Sequence, residues 1–580
     1  MNKLLFIFAS GLFATSAVYA VKGSADATAP TAMSSWGDIT GTEVVYHGIG
    51  VSTNVMTDVY VSVDKDVSMK KFKVSGSGGH HTNLNLIFDG TELTETDSTP
   101  FDYNNTPKDL NGDGINDATT SYSTGFYYKA KETTVDGNTT YSTGTVNFTN
   151  SNVKIELYTL DSNSNAVQQG DYGRTIYFGK GITANFTTNV QISGRNPDLK
   201  VSDSLFSVAG QMTVGGILSL TNTNFDVSGT LSTDRIRLYD GANINYDGLI
   251  QQEKDDIRAD IEAVSGVSTI TVGANSKAFE STRIRVAEGA TLNIDITAYG
   301  KKMRLCNATT TINGTLNITS NQGNHSVSTY IRNPTIVDGG TLTETGNKTA
   351  FMLSAYGALL TVKNSGTLRT TNGYLSVASD GIIKVEDAGS KIDSEKLVFY
   401  ALDSQEKTGE IYLASSTNLV QKSDLYVKNA GYSFELEGKL YLTKCDGVYE
   451  FGDVELLRLS SLRIDLNGAS MSMGKLMVLN GNHTGGVTGS LIFEDFANGL
   501  VKVGIDESIL NADGTLTSSQ DNVSLSIKGY DSNGNLLTGD WSINNGYLWN
   551  SALVAVPEPA EWAMILGALA LGFAIYRKRK

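Results

Sequence analysis

The chain runs to 580 residues with a formal net charge of −16, 60 Gly, 7 Pro, 2 Cys and 5 His. That acidity excludes a partner bound through phosphate neutralisation, so no nucleic acid is expected, and two cysteines far apart, Cys306 and Cys445, exclude a disulfide framework. Charged residues are scarce while Gly, Ser, Thr and Asn abound, a composition for short strands and tight turns in two to four ordinary domains or one repeat array.

The first element is an export signal. Lys3 supplies a positive start, residues 4–13 an apolar core, and Val18-Tyr19-Ala20 the small residues that signal peptidase needs. Residues 1–20 are therefore expected to pass the Sec translocon and be cut after Ala20, leaving Val21 at the mature start. Residues 21–180 hold strand runs such as Asp58-Val59-Tyr60-Val61-Ser62-Val63 without a clear period. They are expected to form an irregular N-terminal β region or cap.

Within that region stands Asp109-Leu110-Asn111-Gly112-Asp113-Gly114-Ile115-Asn116-Asp117. Oxygen ligands from Asp109, Asn111 and Asp113, a Gly at the sixth position and the carbonyl of Ile115 are what a calcium loop needs. The segment resembles the calcium loops of dockerins and thrombospondin-type repeats. Its departure is Thr120 at the twelfth position, where Asp117 at the ninth offers a substitute ligand. The competing expectation is an Asn/Gly/Asp-rich surface turn. His80 and His81 are adjacent, so on an extended chain they point to opposite faces and do not chelate one ion. No GxSxG, phosphate loop, HExxH or Cys/His pairing is present.

From residue 181 to 550 one phrase returns: a Gly, one or two small or polar residues, then an aliphatic. It stands at Gly216-Ile217-Leu218, Gly229-Thr230-Leu231, Gly289-Ala290-Thr291-Leu292, Gly314-Thr315-Leu316, Gly340-Thr341-Leu342 and Gly366-Thr367-Leu368. Later copies are Gly438-Lys439-Leu440, Gly489-Ser490-Leu491 and Gly514-Thr515-Leu516. Leucines at 292, 316, 342 and 368 are spaced 24, 26 and 26 by subtraction, the interval of a solenoid. Around them apolar residues alternate, as at Leu292, Ile294 and Ile296, which marks strands with one face in a core. The expectation is an all-β chain wound as a right-handed parallel β-helix, in which each coil pairs with its neighbours and only the ends keep open edges. In its repeat this body is similar to autotransporter passengers. The alternative is a pair of tandem β-sandwiches, which also have many short strands.

Two stretches depart from the phrase. Leu249, Ile250, Ile257, Ile261 and Val264 follow helical spacing, which predicts a short amphipathic helix. Between Leu397 and Asn429 the phrase weakens and irregular coils are expected. Asp234, Asp240 and Asp247, and separately Asp393 and Glu395, are the carboxylate clusters that a polysaccharide-active β-helix enzyme would need in one cleft. Solvated faces of an acidic protein supply such clusters equally well.

The last element is a tail, residues 556–580. Pro557 and Pro559 separate it from the body, residues 562–576 carry no charge, and Arg577-Lys578-Arg579-Lys580 close the chain. As a helix, 562–576 would span about 22 Å against a hydrocarbon core of roughly 30 Å, with Trp562 and Tyr576 at the interfaces and the basic cluster cytoplasmic. A single transmembrane helix is expected there. Pro557-Glu558-Pro559, a short apolar helix and a terminal basic run together resemble a PEP-CTERM sorting domain. The resemblance implies that Pro557, Glu558 and Pro559 are read by a membrane-embedded exosortase, with Arg577, Lys578, Arg579 and Lys580 as the stop-transfer anchor. It also implies transfer to the surface or extracellular matrix of a Gram-negative-type bacterium. The expectation is a non-enzymatic structural or adhesive protein that presents its solenoid to polysaccharide, with Ca2+ the one candidate cofactor. A β-helix polysaccharide lyase or hydrolase is the alternative.

Overall fold

Alternation governs the backbone throughout: Met212–Thr221 is one strand of ten residues whose side chains are in turn buried and half-buried. A computed structural model describes residues 57–553 apart from 70, 76–80, 97–122, 150–151, 158–174, 188, 195–197, 248, 252–258, 274–278, 298–302, 307, 321–328, 402–406, 430–434, 458, 480–486, 506 and 518–522. Outside that span it describes Val18–Val21, Thr31–Ala32, Glu43–His47, 566–571 and 577. The chain divides into two units, Met1–Asn333 with Gly340–Ala350, and Pro334–Gly339 with Phe351–Lys580.

In the first unit a coil consists of three strands and three turns. Leu205–Val208 lies in a first sheet, and residues 212–214 in a second. Residues 217–221 lie in a third, after which Asn224–Val227 returns to the first sheet one coil on. The pairing between these coils is parallel: Leu205 lies against Asn224 and Asn224 against Asn243 in the first sheet. Met212 lies against Leu231 in the second sheet and Leu218 against Ile236 in the third. This is a β-solenoid, and parallel stacking of this kind excludes tandem sandwiches, which need antiparallel neighbours. The third sheet reaches back through Thr175–Phe178, Ser123–Ala130 and His81–Phe88 to Thr57–Val63. Much of the stretch expected to be irregular is therefore laid down in the same ladder. Val18–Val21, Glu43–His47 and Lys71–Ser75 form a separate parallel sheet, in which Ala20 is paired with Val45.

Register stacks like on like in the interior. One column of the first sheet runs Val146, Ala184, Phe206, Phe225, Ile244, Ile270, Ile294 and Ile318, each no more than 1 % exposed. Phe148 and Phe186 stack at 4.3 Å between ring centroids, and Phe206 and Phe225 at 4.8 Å. Each such ring contributes about 1.5–3 kcal/mol by burial alone. The repeated leucines 292, 316 and 342 form a neighbouring column. Its glycines are demanded by space. A Cβ on Gly314 would overlap the carbonyl oxygens of Ala287 and Ala290, and one on Gly340 the carbonyl of Gly314. Where the chain turns into the first sheet, Thr223 donates its hydroxyl to the Thr221 carbonyl at 2.7 Å, satisfying a group that the corner leaves inside.

The second unit uses the same scheme with a thinner first sheet. Lys396–Ala401 pairs with Asp424–Asn429, and Glu410–Leu413 with residues 439–442. Between Leu397 and Asn429, where irregular coils are expected, Ser416–Asn418 is a 3-10 turn standing in place of a strand. Asn418 is fully buried there, donating to the carbonyls of Asp387 at 2.7 Å and Ser390 at 2.8 Å. The stack ends in reversed strands. Thr515–Thr517 runs antiparallel to Val523–Gly529, and Trp541–Asn544 pairs with Tyr547–Asn550 as a hairpin. Trp541 is buried and meets Phe496 at 5.2 Å. An antiparallel hairpin denies the next chain a parallel template.

Three expectations are corrected. The Gly-x-Leu phrase does not mark one equivalent position: Leu218 and Leu440 lie in third-sheet strands, Leu231 in the second, Leu292 in the first, and Leu516 in the antiparallel end. The constant spacing belongs to the first sheet alone. The helix expected across 249–264 is absent from its described parts, because Leu249–Gln251 and Ala259–Ala263 pair as strands with the preceding coil. Parallel neighbours on both sides outweigh a local helical spacing. The single transmembrane helix expected at 562–576 is not supported. Among the described residues no helix is long and apolar enough to cross a membrane, and in that stretch only 566–571 are described, as helix.

Candidate functional site

Outward positions of a solenoid sheet are released from the core, so their composition is informative. On the first sheet of the first unit they form two columns. One runs Asn147, Asn185, Ser207, Asp226, Asn245 and Thr271. Its neighbour, two residues earlier on each strand, runs Thr145, Thr183, Leu205, Asn224, Asn243 and Thr269. Over these rungs neither contains Lys, Arg or Glu; one rung earlier Glu92 lies against Thr145.

Hydrogen bonds along the solenoid hold these side chains in line. Asn185 donates to Asn147 at 2.9 Å, and Ser207 to the Asn185 oxygen at 2.9 Å. Asn245 donates to Asp226 at 2.8 Å, and Asn243 to Asn224 at 3.2 Å. An amide that donates once within its column retains a second N–H and a lone pair for the outside. The order arises locally, since each strand is an alternation of short polar and large apolar residues.

Two hollows lie over these columns. One of about 540 Å³ covers Asn185, Ser207, Asp226, Asn245 and Thr271, and is edged by the corner residues Thr187, Ala209, Ser228 and Asp247. The other, of about 870 Å³, covers Thr183, Leu205, Asn224 and Asn243 and is edged by residues 139–143 and Lys180. That edge is an antiparallel hairpin, Glu132–Val135 with Asn138–Tyr141, exposed along its whole length. Asp136 and Gly137 turn it, both at positive φ (50° and 77°), the geometry of a tight two-residue hairpin. At its base Lys180 Nζ sits 4.5 Å from the Tyr141 ring centroid.

The second unit offers a different surface. On its third sheet Tyr412 and Tyr441 stack at 4.3 Å. The Tyr412 hydroxyl donates to Glu410 at 2.5 Å, and Lys439 donates to the same carboxylate at 3.1 Å. Arg463 bridges Glu437 at 3.0 Å and Glu494 at 2.5 Å. Burial, reinforced by Glu410, holds the Tyr412 hydroxyl well above the usual phenol range. The Arg463 guanidinium is held charged by Glu437 and Glu494 against burial. On the second sheet Lys396 sits 5.6 Å from each of the Tyr374 and Tyr426 rings and pairs with Glu455 at 3.0 Å. Burial pushes Lys396 down, but Glu455 and Asp424 outweigh it and raise it. These groups staple successive coils together.

The carboxylates singled out by sequence are not brought together. Asp234 is exposed within the strand Thr230–Leu238, where its register shifts between the second and third sheets, Asp240 is exposed in the turn that follows, and Asp247 edges the smaller hollow after the first sheet. Asp393 accepts from Arg369 at 2.8 Å and Gln421 at 2.9 Å, while Glu395 is exposed. Asp109, Asn111, Asp113, Ile115 and Asp117 lie outside the described residues, as do Pro557, Glu558, Pro559, Lys578, Arg579 and Lys580; Arg577 is exposed. Among the described residues no group of three or more His, Cys, Asp or Glu could hold a metal ion. Cys306 and Cys445 are both free.

The polar columns are not among the sites that motif reading selects. Their signal was present in the triplets Thr145-Val146-Asn147, Thr183-Ala184-Asn185, Asn224-Phe225-Asp226 and Asn243-Ile244-Asn245, a short polar residue on each side of an apolar one. No family model, curated protein or solved structure matches this chain.

Proposed function

We propose that this chain is an exported, exosortase-sorted structural or adhesive protein, displayed at the cell surface or in the extracellular matrix of a Gram-negative-type bacterium. The β-solenoid, wound right-handed as parallel crossovers are, serves as a rigid presenting scaffold. The observation that carries this reading is the pair of outward-facing polar columns on the first sheet of the first unit, half-buried to exposed, with Asp226 their one acid over those rungs, and ordered by their own hydrogen bonds. Such a surface makes many weak hydrogen bonds and suits multivalent contact with an extended polymer. Delivery rests on the two ends of the sequence: a signal cut after Ala20, and a tail read at Pro557-Glu558-Pro559 whose apolar segment 562–576 holds the protein transiently in the membrane. Bound Ca2+ at Asp109, Asn111, Asp113, Ile115 and Asp117 would clamp a loop of the N-terminal region.

The test is fractionation of cells expressing the full chain and a chain ending at residue 555. The full chain is expected at the surface and the truncated one in the periplasm or medium; equal surface retention overturns the sorting role. A second reading, a polysaccharide-cleaving enzyme, is favoured by one observation: Asp226 and Asp247 edge the same hollow. New reducing ends released by the parent protein and not by Asp226→Asn would establish it.

A further inference from the structure

We propose that the first-sheet face of the first unit is a cleft for a single neutral polysaccharide chain, lying along the solenoid axis across successive coils. This deepens the adhesive reading above and rests on it. Four observations converge on the face, and they come from different parts of the chain.

The first is repeat. Each coil advances about 4.8 Å, close to the length of one pyranose unit in an extended glycan, so successive sugars meet equivalent rungs. The second is chemistry. Asn185, Ser207, Asn245 and Asn243 set amide and hydroxyl groups in a lining that is otherwise largely apolar, a mixture that matches the hydroxyl edges and apolar faces of a sugar ring. Their rotamers are already set by hydrogen bonds from coil to coil, which lowers the ordering cost of binding.

The third is charge. Among the described residues edging the two hollows, the acids are Asp203, Asp226 and Asp247, and the one cation is Lys180, which lies over the Tyr141 ring. A uronate or sulfated chain would meet like charge, whereas a neutral chain would not. The fourth is shape. Two hollows lie on the same strands; the larger is bordered by a hairpin that contributes nothing to the core, with Tyr141 40 % exposed beside it. An aromatic ring with a polar tip at the rim of a floor that mixes polar groups with Leu205 suits the mixed surface of a sugar.

The experiment uses the full chain in affinity electrophoresis and pull-down with cellulose, a β-1,3-glucan and chitin as neutral polymers, and with alginate and polygalacturonate as acidic ones. The parent is expected to be retained by at least one neutral polymer and by neither acidic one. Ser207→Arg with Asn245→Arg, both outward, should weaken that retention about tenfold or more while leaving the circular dichroism and melting curve in place. Thr319→Arg, on the same column beyond both hollows, should bind as the parent does. Retention by acidic polymers alone, no retention by any neutral one, or full retention by the folded double variant would each overturn the cleft. Fractionation of the same double variant separates the two readings. Surface delivery with lost binding leaves the sorting reading intact, and binding by a protein that never reaches the surface sinks that reading alone.

Discussion

Two faces of this molecule share one architecture and differ in chemistry. The first sheet of the first unit turns Asn, Thr and Ser outward in columns that bond along the axis through amides and hydroxyls, with Asp226 as the one carboxylate in the bonded run and no ion pair among the described residues there. The third sheet of the second unit turns out Glu410, Lys439, Glu437, Arg463 and Glu494, and consumes each charge against a neighbour one coil away. Interiors under both faces are alike: Phe206 and Phe493 are each at most 1 % exposed. A solenoid therefore decouples folding from surface. Inward positions must be apolar and stack on their own kind, while outward positions either staple the coils or stay open for a partner.

The largest effect is expected where the faces do not differ. Phe206→Ala and Phe493→Ala should each cost about 3–5 kcal/mol in denaturant unfolding, because a buried ring leaves a cavity that stacked coils cannot close. A difference between them larger than that range would break the claim that the interiors are equivalent. A smaller effect should separate the faces. Arg463→Ala is expected to cost about 1 kcal/mol, and less at high salt, since the pairs that it breaks are partly exposed. Asn185→Ala, on the neutral face, should show no salt dependence; an equal salt response in both variants would erase the contrast.

The smallest is a pH effect at a corner of the second unit. Asn364 stands at φ 54°, its side chain donating to Asp338 and its backbone N–H to Asp387, both at 2.6 Å. Burial pushes the Asp387 carboxyl up, but the Ser390 hydroxyl and the backbone N–H groups of Asn364, Ser390 and Ser365 outweigh it and hold it below the usual range. A depressed carboxylate stabilises above its unfolded value of about 3.9 and loses that contribution as pH falls through the folded one. The stability gap between the parent and Asp387→Asn should thus be present at neutral pH and close on acidification below about pH 4. A gap that stays constant across that window would remove the role given to these hydrogen bonds.

Much of the scaffold was legible before any coordinates. Alternating apolar residues and leucines spaced by 24 and 26 read as stacked coils, because a parallel solenoid must repeat its core at each turn. The weakening of the phrase near residues 397–429 likewise marked the coil in which Asn418 and a 3-10 turn replace a strand. The local spacing of Leu249, Ile250, Ile261 and Val264 misled, since Leu249–Gln251 and Ala259–Ala263 pair as strands with the preceding coil and parallel neighbours outweigh a helical apolar count.

By itself, then, the sequence determined that this chain is β-rich and repetitive with a stacked apolar interior, because those properties follow from the order of residues along one strand. Only the tertiary structure decided which sheet each Gly-x-Leu belongs to, that Asp234, Asp240 and Asp247 stay apart, and that Asn147, Asn185 and Ser207 form one hydrogen-bonded column. The separations within that column are 38 and 22 residues, so no fixed period along the chain announces it. Contact between coils is a property of register, and register is fixed when the strands pair.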